Sequence, residues 1–297
     1  MNDGRGAADP VPPSTDQEVR NPYVGPRSFA YGEALYGRDR EVAELSDILI
    51  AQRIVLLYSP SGAGKSSLLE AALRPRLERF EFRVLPTIRV GHEPPPTFDG
   101  LEVRNRYVLS TLLSLEEGRA PDVQFTPAEL IGMSIDEYLD RWDREDVERD
   151  GDTGSEPCLL FDQFEELFTL DPTDLDDKAA FLDEVGVALR DRGRWALFAI
   201  REDYIAQLDP YLALVPKRLS SRYRLDLLGV DAARLAMRRP AELEGVLFSV
   251  EAADHLIDDL RRVRVQRGGE VVDELGPYIE PVQLQVVCRQ LWSSLTS

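Results

Sequence analysis

The chain has 297 residues, in which 35 Lys and Arg face 54 Asp and Glu for a formal charge of −19; 43% of residues are hydrophobic and 30% charged. That length allows one large domain or two modest ones, and the composition supports a buried core. An acidic chain repels a phosphate backbone unless it gathers its cations on one face, so a general nucleic-acid binder is disfavoured.

Cys158 and Cys288 lie far apart, each inside an apolar run, which argues against a disulfide scaffold or a cysteine-based zinc site and suits a reducing compartment. His92 and His255 are the only histidines, too few for a histidine-built metal centre. The N-terminus MNDGRGAADP has no apolar signal core, and no run approaches the roughly 18 residues of a membrane span. A cytoplasmic protein without membrane partners is expected. Only three cations are lysines, Lys65, Lys178 and Lys217.

Residues 1–20 are rich in Pro, Gly, Asp and Ser and read as a disordered tail. From Asn21, the segment NPYVGPRSFAYGEALYGRDREV leads through a loop into a helix from about Asp39 to Ala51, with Val42, Leu45, Ile48 and Leu49 at helical spacing. Ile54–Tyr58 is a short apolar run that reads as a strand; it ends in SPSGAGKSS, and the helix former LLEAALRPRLERF follows. A second strand is expected over about 82–90. Residues 92–157 begin in prolines and end in an acidic stretch, Asp136 to Asp152, and read as a surface insertion with one helix near Val108–Leu115. Next come a buried strand, Cys158–Asp162, a helix in QFEELFTL, a helix near Asp176–Arg190, a strand at Trp195–Ile200, helical residues from Glu202 and a strand near Tyr223–Leu228. After Gly229 the pattern reads as helical only. Strands alternating with helices imply a parallel sheet with right-handed crossovers.

Residues 59–66 read S-P-S-G-A-G-K-S between that first strand and a helix. This is the phosphate-loop pattern G-x-x-x-x-G-K-[ST] with Ser59 in place of the first glycine. Gly62 and Gly64 let the backbone of Ser61, Gly62, Ala63, Gly64, Ser66 and Ser67 turn its N–H groups around a polyphosphate, and the helix end adds positive potential. Lys65 would reach the β- and γ-phosphates and the Ser66 hydroxyl would ligate Mg²⁺. Asp162, ending the second apolar strand, fits a Walker B carboxylate on the metal. Glu165 and Glu166 follow; either could activate a water, or simply favour a helix N-terminus, and the three-residue spacing makes Glu165 the first choice. Arg201, at the carboxyl end of a strand where such sheets bind ligands, could report a γ-phosphate.

These segments, together with RRPAEL and EPVQLQVVCRQLW near the end, resemble a STAND-class P-loop NTPase of the bacterial novel STAND branch, across most of the chain from Asn21. The resemblance implies a three-layer α/β NTPase domain over 21–228 and an all-helical lid over 229–297. It places Tyr36, Gly37 and Arg38 near the adenine, Glu165 as the base and Arg201 as a phosphate sensor. Pro240 becomes a lid contact to the nucleotide, although RRP departs from the glycine-containing lid motif. It also implies ATP and ADP with Mg²⁺ as ligands, slow hydrolysis, and signalling through self-association or protein partners such as effector or repeat-sensor domains on this or other chains. The rival readings are a non-hydrolysing nucleotide-binding adaptor and, disfavoured by charge, a DNA-stimulated motor ATPase. The basic run Arg261–Arg267 is expected to pair with the protein's own carboxylates.

Overall fold

A computed structural model describes residues 21–98, 100–150, 155–267 and 270–295; the expected tail over 1–20 lies outside the described residues, as do 151–154 of the acidic stretch. Among the described residues the strands are β1 (Ile54–Ser59), β2 (Arg83–Val84), β3 (Ile88–Arg89), β4 (Pro157–Asp162), β5 (Trp195–Arg201), β6 (Arg222–Arg224), β7 (Leu228–Gly229), β8 (Arg262–Arg267), β9 (Glu270–Leu275) and β10 (Tyr278–Ile279). The α-helices are α1 (Asp39–Gln52), α2 (Lys65–Ser67), α3 (Arg74–Arg79), α4 (Arg106–Glu116), α5 (Pro127–Gly132), α6 (Ile135–Asp150), α7 (Glu166–Thr169), α8 (Leu175–Ala188), α9 (Val230–Leu243), α10 (Val250–Leu260) and α11 (Pro281–Leu295). No helix among the described residues is long and apolar enough to cross a membrane.

The main sheet is parallel, in the order β2-β4-β5-β1-β6, with β3 also paired to β4. The stretch expected as one strand over 82–90 is two short ones, because Pro86 lies between them and has no N–H to give the ladder. Side chains alternate across the sheet. Leu56, Phe161, Phe198 and Ile200 pack with α4, α6 and α8 on one face. Val55, Leu57, Leu160, Leu197 and Ala199 pack with α1 and the helix after β1 on the other. That helix starts as α2, widens to π-type turns over Leu68–Leu73 and returns as α3. The wide turns lie just ahead of Pro75, whose ring crowds the carbonyl of Ala71.

Two expectations are corrected. The described residues of 92–157 do not form a mere surface insertion: their helices contribute to the domain's core. Helix α4 buries Tyr107, Leu109, Leu112 and Leu115, and α6 buries Ile135, Tyr138, Leu139 and Trp142 against the same cluster. Four acidic residues of α6 meet arginines from elsewhere: Arg194, 1% exposed, meets Asp136 at 2.6 Å and Asp140 at 2.5 Å, while Arg83 pairs with Asp143 and Arg119 with Glu145. Buried guanidiniums let a heavily charged helix lie on the core without stranding charge.

The lid is not all-helical. Strand β7 pairs antiparallel with β10, and β8 with β9 in a hairpin. Alternation in R-V-R-V-Q-R, two glycines and then E-V-V-D-E-L is the period of a strand pair, not of a helix. The lid's core joins Ala233, Met237, Ile257, Ile279, Leu284, Cys288 and Trp292 to Tyr23. Tyr23 stacks edgewise on Trp292 and donates its hydroxyl to the Met237 carbonyl at 2.5 Å, so the chain's first described residues belong structurally with its last helices.

Replacing Leu112 with alanine should cost about 2–5 kcal/mol of unfolding free energy in a urea titration, as large-to-small core changes do. A loss within about 0.5 kcal/mol would restore the peripheral reading of this segment.

Candidate functional site

Parallel register sets the site. Ser59 pairs with Arg201 across β1 and β5, and Arg89 with Asp162 across β3 and β4, so four polar residues reach one sheet edge together. Beyond β1 the chain turns through Gly62 (φ +76°) and Gly64 (φ +90°), left-handed conformations that glycine adopts without strain, and Gly64 immediately precedes α2. Lys65 is 9% exposed and donates to the Ser59 hydroxyl at 3.0 Å. The residue that breaks the glycine pattern thus holds the lysine. Burial pushes the Lys65 ammonium down from its ordinary value, while Glu165 and Asp162 pull it back up.

A groove of about 610 Å³, open to solvent, lies over this edge. Ser61, Gly62, Ala63, Gly64, Lys65, Ser66 and Ser67 line it, facing Asp162, Glu165 and Arg201. Asp162 is 2% exposed; its Oδ1 accepts from the Gln163 N–H at 2.9 Å and its Oδ2 from Arg89 at 2.9 Å. Gln163 has φ +50°, a conformation that side chains disfavour. This tight turn sends Phe164 into the core, with its N–H on the Ala199 carbonyl at 2.9 Å, and leaves Glu165 at the groove. Glu165 Oε2 accepts the Arg201 N–H at 3.1 Å. Glu166 turns away from the groove to accept the Gly91 N–H at 3.1 Å, and burial raises its carboxyl above the ordinary range. The Arg201 guanidinium bonds Asp203 at 2.6 Å, which raises its pKa further.

One hydroxyl (Ser66) and one buried carboxylate (Asp162) facing a phosphate groove suit Mg²⁺, which keeps several waters and takes the rest of its ligands from phosphate oxygens. Each Asp162 oxygen retains a lone pair beyond the bond it accepts, so the residues fit such an ion.

A second, mostly apolar pocket adjoins the groove. Phe29, Leu35, Tyr36, Ala236, Pro240 and Val282 line it, and Arg27, Ala63, Gly64, Ser67 and Val282 are shared with the phosphate groove. Of the three residues expected near a base, Tyr36 and Arg38 are at the wall. Arg38, 5% exposed, is tied to the Ala63 carbonyl at 3.0 Å and the Asp226 carbonyl at 2.8 Å, so it clamps the phosphate loop to the connection between β6 and β7 that leads into the lid. Gly37 serves the lid instead: at φ +82°, a side chain there would strike the Ala232 carbonyl of α9 at 2.5 Å. Pro240 lies inside α9, not at its start.

Sequence reasoning passed over several residues that line these spaces. Arg27 borders both pockets and makes a two-pronged pair with Glu33 at 2.6 and 2.7 Å. It stood in the quoted GPRSF, but nothing local marks a loop arginine as facing a groove. The Phe29 N–H bonds the Ser67 hydroxyl at 3.1 Å, which lays this loop over the phosphate loop. Gln285 borders the apolar pocket from α11, its Oε1 taken by the Val24 N–H at 3.1 Å. Arg89 shows only as the cation ending a strand.

A family model described as Novel STAND NTPase 1 matches residues 22–274. Among solved structures, the chain is similar to the Walker-type ATPase PABY2304 of Pyrococcus abyssi, at 15% identity and TM-score 0.59, over 90% of this chain and 70% of that one. It is also similar to the Aeropyrum pernix ORC2 protein in ADPNP-ADP complexes (12% identity, TM-score 0.49, 77% of this chain and 56% of that one). The ORC1 protein of the same organism, in complex with DNA, is similar at 14% identity and TM-score 0.43, over 78% of this chain and 52% of that one. The first likeness shows a shared P-loop ATPase fold; the other two are too distant to add to it. No match was found among curated proteins.

Gly37→Ala should cost about 1–3 kcal/mol through the left-handed backbone and the clash with Ala232. Amide exchange should then quicken in α9 more than in the main sheet. Equal quickening in both would mean that Gly37 does not specifically seat the lid.

Proposed function

The chain belongs to the novel STAND NTPase family, and from that premise we propose that it is a nucleotide-controlled switch. It binds ATP and ADP with Mg²⁺, hydrolyses ATP slowly, and couples nucleotide state to lid position and to self-association or exposure of a partner surface. The observation that carries this reading is the junction of the two pockets beneath the lid. Val282, at the start of α11, lines both, and a side chain at Gly64 would meet Pro281 at 3.9 Å. A nucleotide filling both spaces touches the sheet domain and the lid at once, so its phosphate number bears on how the two sit together.

In this reading the N–H groups of Gly62–Ser67 and the Lys65 ammonium hold the phosphates, with Arg27 a further cation once it leaves Glu33. Ser66 and Asp162 would hold Mg²⁺, which would supply positive charge against the phosphates. Glu165 orients a water against the γ-phosphorus; as the new P–O bond forms, the carboxylate takes the water's proton and the bond to the β-phosphate oxygen breaks, leaving ADP. Arg201 reaches the γ-phosphate by exchanging Asp203 for it. Glu166, tied to Gly91, positions β3 and takes no proton. Base preference follows from Pro240: it has no N–H for the Ala236 carbonyl one turn earlier, and both residues line the apolar pocket. That free acceptor, with the Gln285 amide as donor, matches the N6 amino group and N1 of adenine and opposes the reversed pattern of guanine.

The Arg89–Asp162 pair favours a second reading, in which the metal site is held closed and nucleotide is a structural ligand only. Glu165→Gln separates the two. A switch loses about 100-fold or more in turnover while retaining ATP, whereas an adaptor shows no turnover to lose; Glu166→Gln should stay within about twofold.

Denaturing the purified protein should release near-stoichiometric ADP, and Lys65→Ala should hold about 10- to 100-fold less tightly, as for the loss of a charge-assisted contact. Unchanged affinity in Lys65→Ala would sink the site assignment. Pro240→Ala should restore the helix N–H and narrow the preference for ATP over GTP, read by competition binding; a preference that does not move removes the Ala236 carbonyl from base selection.

A further inference from the structure

The hairpin β8–β9 projects from the lid with nearly every described side chain facing solvent: Val263 is 46% exposed, Val271 66% and Leu275 49%. Neither outer edge pairs with a further strand among the described residues. An isolated two-stranded hairpin is marginal in water, and a free edge is a template for pairing with another chain. Proteins usually blunt such edges with charge. Here the charges are sorted by strand instead: β8, R-V-R-V-Q-R, has three cations and no anion, and β9, E-V-V-D-E-L, three anions and no cation. Within the hairpin the two sets already attract, with Arg264 opposite Asp273 at 3.8 Å and Val265 opposite Val272.

We infer that the hairpin is a self-association element, in which the basic β8 edge of one copy adds beside the acidic β9 edge of the next. Pairing β8 with β8, or β9 with β9, opposes like charges and is disfavoured. The β8-to-β9 contact repeats the attraction inside the hairpin and extends an antiparallel sheet. Because it uses two different surfaces of each copy, it is head-to-tail and builds rings or open chains rather than a closed two-fold pair. The net charge of −19 repels copies at long range, but at physiological ionic strength a strand feels charges only within about 8 Å. Six-residue strands span about 20 Å and bury less than a standard interface, so assembly sets in at micromolar concentration or above. This deepens the self-association in the proposed switch and rests on that reading for its nucleotide control.

Sedimentation velocity of the full chain, from about 1 to 100 µM and with ADP or a non-hydrolysable ATP analogue, tests it. Wild type should form concentration-dependent oligomers in at least one nucleotide state. Arg262→Glu/Arg264→Glu and Asp273→Arg/Glu274→Arg should each shift the oligomers to monomer by at least about tenfold in concentration. The quadruple swap keeps the Arg264–Asp273 attraction with its signs exchanged, so it should fold and self-associate, yet fail to join wild-type oligomers because the two edges of every mixed contact carry net charge of the same sign. Free mixing of the quadruple variant with wild type, or oligomers indifferent to both double variants, overturns the hairpin contact. So does a wild type that stays monomeric throughout. Released nucleotide is measured on the same samples: chains that hold ADP but assemble through another face defeat the hairpin proposal and leave the switch reading standing.

Discussion

Everything at the candidate site depends on the parallel ladder that brings β1, β4 and β5 to a common carboxyl edge. A one-residue slip in any of these strands would turn its last polar side chain to the other face and bury it among leucines. Slippage is opposed by apolar residues packed on both faces: Val55 and Leu57 on one, Leu56 on the other, and the Phe161 and Phe198 rings stacked at 4.7 Å. Only with that register fixed can Ser59 meet Lys65, and only then does the strained turn at Gln163 deliver Glu165 to the groove and Phe164 to the core.

The link from this edge to the lid runs through Arg38. Its guanidinium is almost wholly buried and bonds two backbone carbonyls, one in the phosphate loop and one at Asp226 ahead of β7. Burial lowers its pKa, with Glu41 opposing that, and the carbonyls satisfy N–H groups that would otherwise be stranded. Gly37 beside it touches the α9 backbone, and Tyr23 is part of the lid's own core. Residues 21–38 therefore form a strap that touches the phosphate loop, the apolar pocket and the lid.

Local chemistry was legible in the sequence, and distant pairing was not. The phosphate loop shows because left-handed glycines, a short apolar strand and a helix start are all written within a dozen residues. Asp162 shows because it ends a buried run. Residues 92–157 misled because their charge was counted without the arginines that pair with part of it: Arg194 lies more than fifty positions from Asp136 and Asp140. The apolar spacing of Tyr107, Val108, Leu112 and Leu115 was there to outweigh it. The lid strands were missed because the pattern after Gly229 was read as helical throughout, although R-V-R-V-Q-R alternates with period two. Spacing alone made Glu165 the first choice; that it faces the groove while Glu166 meets Gly91 follows from the turn at Gln163, whose left-handed backbone no residue type announces.

The same inventory explains why two such different surfaces coexist in one acidic chain. At the nucleotide groove, cations are few and already engaged: Lys65 by Ser59, Arg89 by Asp162, Arg201 by Asp203 and Arg27 by Glu33. In the proposed switch, a phosphate oxygen could take over from the partners of Lys65, Arg201 and Arg27, which line the groove, through charge-assisted bonds. At the hairpin, cations and anions are separated by strand, and no bound ligand is required to satisfy them. Contacts that trade partners suit a site that must register a ligand, whereas contacts that complement a copy of themselves suit one that must repeat. In a chain carrying −19, exchange at the groove also spares the protein an exposed basic patch that would attract unrelated polyanions.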